Sequence, residues 1–72
     1  MSKTYDVLYL EALDKVILYH ESSIVFEGTL NDVPKCMQKL TEVYQADIKE
    51  LTDDANEAME ILNNLDIKSI TN

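Results

Sequence analysis

The chain contains no arginine and no tryptophan, and only one cysteine, one histidine, one glycine, one proline and one phenylalanine. Each scarcity removes a class of function. Without the planar guanidinium that grips a phosphate with two parallel hydrogen bonds, direct nucleic-acid binding is not expected. A single cysteine forbids an intramolecular disulfide and a thiolate zinc cluster. A single glycine excludes the phosphate-cradling loop, the dinucleotide fingerprint and the nucleophile elbow, each of which needs at least two. One histidine and one cysteine with no third member to tune them give no acid, base or nucleophile constellation. The oxygen-rich run Asp53-Asp54-Ala55-Asn56-Glu57 lacks the alternating ligands and central glycine of a calcium loop. No catalytic residue, metal or cofactor is expected, and the chain is read as a non-enzyme. No apolar run approaches the roughly 20 residues of a membrane span, and residues 1 to 6 do not lead into a signal-peptide core. These readings imply a cytoplasmic protein.

What is present is a compact, acidic chain. Its 72 residues suit a single domain, and 46% hydrophobic content is too high for disorder. A chain of this length buries only about 60% of its unfolded surface, so its core is small. The net charge of −8 is unevenly spread. Between residues 41 and 66, Glu42, Asp47, Glu50, Asp53, Asp54, Glu57, Glu60 and Asp66 are opposed by Lys49 alone. Such a surface attracts basic ones.

Taken in order, residues 5–10 (YDVLYL) and 15–20 (KVILYH) are rich in β-branched and aromatic side chains and read as strands joined by a loose turn. After the polar break Glu21-Ser22-Ser23, residues 24–27 make a third short strand ending at Gly28, which allows an unusual backbone conformation or a close approach. Alternation gives Val7 and Tyr9 to one face of the first strand and Leu8 and Leu10 to the other. Both sets are apolar, so either one face is open and bears tyrosines, or both are covered.

Asn31 or Asp32 as a cap, Pro34 in the first turn and Leu30 as a staple announce a first helix over about 32–45. Its inward residues are Val33, Met37, Leu40 and Tyr44, with Cys36 and Val43 flanking. Cys36 is read as a small buried hydrophobe, with a thiol activated by Lys35, Lys39 and the helix N-terminus as the other reading. His20 is read as a surface or strand-edge residue. Residues 45–51 are read as a break, although their pattern would also permit one long helix. Thr52 as N-cap with Asp53 and Asp54 behind it starts a second helix over about 52–65, whose buried stripe is Ala55, Ala58, Met59, Leu62 and Leu65. Residues 66–72 form a short tail that frays or adds an edge strand. The expected fold is α+β: a small three-stranded antiparallel meander over about 5–28 packed against two C-terminal helices, in the order βββαα.

Two functions of different class follow. In the first, the acidic helical face occupies a basic, nucleic-acid-binding surface of a partner protein through Asp47, Glu50, Asp53, Asp54, Glu57 and Glu60. Helical turns rise about 5.4 Å, so carboxylates at i, i+4 and i+7 set negative charge at intervals near those of a phosphate strand. In size, acidity and lack of catalytic machinery the chain is similar, in general terms, to phage-encoded proteins that block host restriction, CRISPR or transcription enzymes. That likeness covers charge and size and rests on no shared motif. The alternative is a structural or assembly module, homodimeric through the helix hairpin or through a tyrosine-rich sheet face formed by Tyr5, Tyr9, Tyr19 and Phe26.

Overall fold

A computed structural model describes residues 4–46 and 53–71. Three strands, β1 (Tyr5–Leu10), β2 (Lys15–His20) and β3 (Ser23–Gly28), form an antiparallel sheet in the order β1-β2-β3. Two helices follow, α1 (Val33–Ala46) and α2 (Asp53–Thr71). The architecture is the expected α+β meander with two C-terminal helices.

The connections show how a glycine-poor chain turns. Between β1 and β2 a single 3-10 turn, Glu11–Leu13, ends on Asp14 in the left-handed region at φ 48°. The Asp14 carboxylate then accepts the Leu30 N–H at 3.1 Å and ties this corner to the approach of the helices. Between β2 and β3 the polar break is a two-residue hairpin closed by the His20–Ser23 pair. Its two residues, Glu21 and Ser22, sit at φ 51° and 71°. Two consecutive positive φ angles match the twist of the strands but strain any residue with a Cβ, and asparagine–glycine is the usual solution. Replacing Ser22 with glycine is therefore expected to stabilise the fold by roughly 1 kcal/mol, a rise of about 4–8 °C in Tm by thermal melting.

Sheet register settles which alternation faces inward. Tyr5 lies opposite His20, Val7 opposite Leu18 and Tyr9 opposite Val16, and Leu18 in turn lies opposite Phe26. This is the covered face. Val16 and Leu18 are fully buried there with Tyr5, while Val7, Tyr9 and Phe26 pack at the margin. The Tyr5 and His20 rings stack with centroids 4.7 Å apart, so His20 is half-buried against an aromatic neighbour and does not stand on the open surface. A register shift beside Leu18 and Tyr19 makes room for Val25, which also packs against the core.

From the helices, α1 contributes Val33, Cys36 and Leu40, and α2 contributes Ala55, Ala58 and Leu62. Cys36 is at the centre of its helix's buried face, where sequence spacing had put it on the flank. Within the described residues α1 runs to Ala46 and α2 starts at Asp53. The break expected over 45–51 does not begin at Gln45, since Gln45 and Ala46 still belong to α1; its remainder and the expected cap at Thr52 lie outside the described residues.

The second helix does not stop at Leu65 but continues through Ile67 and Ile70 to Thr71. No glycine or proline follows Leu65 to end it, and Lys68 in the last turn suits the negative end of the helix dipole. Its two ends are pinned along β1. At the start Asp54 Oδ2 accepts the Thr4 N–H at 2.9 Å. At the finish Lys68 Nζ lies 5.5 Å from the Tyr9 ring centre and 3.9 Å from Glu11 Oε1.

Candidate binding surface

The outer side of α2 is fixed by what its inner side buries. At about 100° per residue, Ala55, Ala58 and Leu62 fall within one narrow arc that faces the sheet. Asp53, Glu57 and Glu60 fall within about 60° of one another on the opposite side. All three are exposed, as are Asn56, Asn63 and Asn64 around them. Ile67, 59% exposed, continues the same side beyond Asn64. The helix therefore carries a strip of three carboxylates with an apolar end.

Asp54 departs from this strip. It is half-buried and spends one oxygen on the Thr4 N–H, so it fastens α2 to β1. Nothing short of the tertiary contact reveals that role. Asp47 and Glu50, assigned to the same surface from sequence, lie outside the described residues.

The four aromatics assigned to an oligomer face are divided by the sheet. Tyr5 is 3% exposed beneath the helices, and Tyr9 and Phe26 pack against the same core. Only Tyr19 points to the other face, since it pairs with Asp6 and Ile24. Aromatic character alone does not distinguish a core tyrosine from an exposed one, and Phe26 lies inward because of the residue inserted at Val25. The face turned away from the helices is instead built from Leu8, Leu10, Tyr19 and Ile24 around Ile17, itself only 6% exposed, with Asp6, Lys15 and Glu27 among them. Leu8 is 42% and Ile24 55% exposed. Sequence carried one signal for it, that both alternating sets in β1 are apolar.

The remaining features are chemically quiet. Burial pushes the Cys36 thiol up to about 11, so it stays protonated at neutral pH and offers no nucleophile. Between α1 and α2 a small apolar cavity of about 170 Å³ is lined by Leu40, Thr41, Tyr44, Ala55, Asn56 and Met59, without a carboxylate, amine or imidazole. Among the described residues no three histidine, cysteine or acidic side chains converge as metal ligands, and no helix is long and apolar enough to cross a membrane. No family model, curated protein or solved structure matches the chain.

Proposed function

We propose that the protein is a non-catalytic acidic binding module whose α2 surface occupies a basic, nucleic-acid-binding site on a partner protein. Blocking a nucleic-acid enzyme, such as a host defence enzyme, is the activity this chemistry suits best. The observation that supports this reading is the placement of Asp53, Glu57 and Glu60 together on the side of α2 turned away from Ala55, Ala58 and Leu62. Four and three residues along a helix advance about 6 and 4.5 Å, which spaces the charges as a short rigid polyanion. Rigidity matters because a preordered strip of charge loses little entropy on binding. Such a strip competes for the lysines and arginines that otherwise neutralise phosphates. Ile67 at its end adds an apolar contact of the kind that anchors an otherwise electrostatic interface.

The test is capture of partners on the immobilised chain from lysate, with release measured against salt and against a DNA oligonucleotide. Binding is expected to weaken steeply as salt rises, and the oligonucleotide is expected to displace the captured protein. Reversing Asp53, Glu57 and Glu60 to lysine together should weaken binding about 100-fold, taking each exposed charge contact at about 1 kcal/mol. Undiminished binding by the triple variant, with its fold intact by circular dichroism, would remove α2 from the interface.

A further inference from the structure

We infer that the uncovered face of the sheet is the contact between two copies of this chain. Leu8 lies near its centre beside Ile17, which is itself only 6% exposed, and Asp6 of one copy meets Lys15 of the other. Leu8, 42% exposed, and Ile24, 55% exposed, lie on a face that the described helices do not cover, and Leu13, 70% exposed, projects from the adjoining 3-10 turn. Apolar side chains gathered on one side of a sheet, rimmed by polar ones, mark a surface that is buried in use.

Charge selects a second copy as the occupant. The chain carries −8 in all, yet this face is close to neutral. Asp6, Glu27 and Lys15 give it a formal charge of −1, with Lys15 Nζ 3.0 Å from Glu27 Oε1 and so placed between its own Glu27 and the Asp6 of a second copy. A basic partner is drawn to α2 and gains little here, whereas a near-neutral apolar face suits another like it.

The register makes the face self-complementary. Asp6 lies beside Tyr19, Leu8 beside Ile17 and Leu10 beside Lys15, so Asp6 and Lys15 occupy opposite corners with Leu8 and Ile17 between them. Consider a two-fold axis that lies between two stacked sheets and is normal to the line from Asp6 to Lys15. It exchanges the corners, so that both Asp6–Lys15 contacts form at once while the exposed Leu8 of each copy packs near the axis. Closed two-fold contacts of this isologous kind are the commonest in homo-oligomers. Asp6 is held for the role, since its Oδ1 already accepts the Val7 N–H at 2.9 Å.

Area sets the strength. Three six-residue strands cover about 14 by 20 Å, a flat footprint of about 300 Å² per copy. Stable interfaces bury roughly 800 Å² per partner, so the dimer is weak, with a dissociation constant on the order of 100 µM.

Sedimentation equilibrium of the full chain from about 10 µM to about 1 mM tests this. The native chain is expected to pass from monomer to dimer over that range. The dimer should strengthen with added salt, which screens the repulsion between two acidic molecules and acts opposite to its effect at α2. Leu8→Lys, which makes the chain less acidic, should nevertheless abolish dimerisation. Asp6→Lys and Lys15→Glu should each remain monomeric alone and pair when mixed, because in the mixture every corner again faces its opposite charge. Circular dichroism and thermal melting confirm that each variant is folded. A native chain that stays monomeric at about 1 mM overturns the proposal. So does a dimer that survives Leu8→Lys, or a mixture of the two charge variants that associates no better than either alone.

Discussion

Replacing Leu62 with alanine is expected to leave the chain largely unfolded at room temperature. Leu62 is fully exposed to neither solvent nor edge: it has no accessible surface, and it is the one large side chain of α2 that is completely buried. The other inward residues of the helix, Ala55 and Ala58, let α2 lie close to the sheet but contribute little apolar area of their own. The second helix is thus attached mainly through Leu62, with Met59 and Leu65 as half-buried neighbours. Cutting a buried leucine to alanine costs about 2.7–5 kcal/mol, the lost transfer free energy plus the cavity left behind. A domain of this size has roughly 4–11 kcal/mol of stability in total, and small single cores lie near the lower end. Urea unfolding followed by circular dichroism should show the midpoint collapsing toward zero denaturant. Leu13→Ala, at a residue 70% exposed, should move it by less than about 0.5 kcal/mol and serves as the control. A Leu62→Ala chain that melts like the native one would mean that α2 is not anchored by this contact.

The reason Leu62 is visible from sequence also explains where sequence reading stops. Ala55, Ala58 and Leu62 repeat at three and four residues with acids between them, and the helix period places the two sets on opposite sides. The buried stripe and the acidic strip are one piece of information read twice. The strands were equally legible, because β-branched and aromatic runs are broken by Glu21-Ser22 and end at Gly28. What sequence left open is which side of the sheet is covered. Tyr5, Val7 and Tyr9 compete with Leu8 and Leu10, and hydrophobicity cannot choose between them. Register and the position of α2 decide it in favour of the first set. The end of α2 was hidden for a different reason. Apolar periodicity marks burial, while Ile67 and Ile70 are helical but exposed, so the pattern ends before the helix does. Asp54 shows the third kind of loss: its partner is 50 residues away, beyond the reach of any local rule.

Gly28→Ala is expected to destabilise the fold by about 1–3 kcal/mol and to change how it responds to acid. The glycine is not there for a left-handed backbone, since no glycine in the described chain has a positive φ. It is there for space. A Cβ at residue 28 would lie 2.9 Å from the Asp32 Cβ and 2.8 Å from its Oδ2. Turning the carboxylate would relieve the Oδ2 contact but not the one with Cβ, so Asp32 must move as a whole. That carboxylate is working: its Oδ2 accepts the Thr29 N–H at 3.0 Å and the Thr29 hydroxyl at 3.2 Å, closing the 3-10 turn Leu30–Asp32 that leads into α1. Asp32 therefore caps this turn, ahead of the helix start that sequence had assigned to it. The Thr29 N–H bond is the main cause that holds its pKa below the usual aspartate value. A carboxylate whose pKa is lower folded than unfolded adds stability at neutral pH, and that contribution disappears as pH falls through the lowered value. In the native chain acid should accordingly weaken the turn. In Gly28→Ala, with Asp32 displaced from Thr29, that part of the acid sensitivity should already be gone. Urea midpoints measured from neutral pH down to about pH 3 should show the two curves converging as the solution becomes acid. Parallel curves would mean that the clash is absorbed elsewhere and the cap survives.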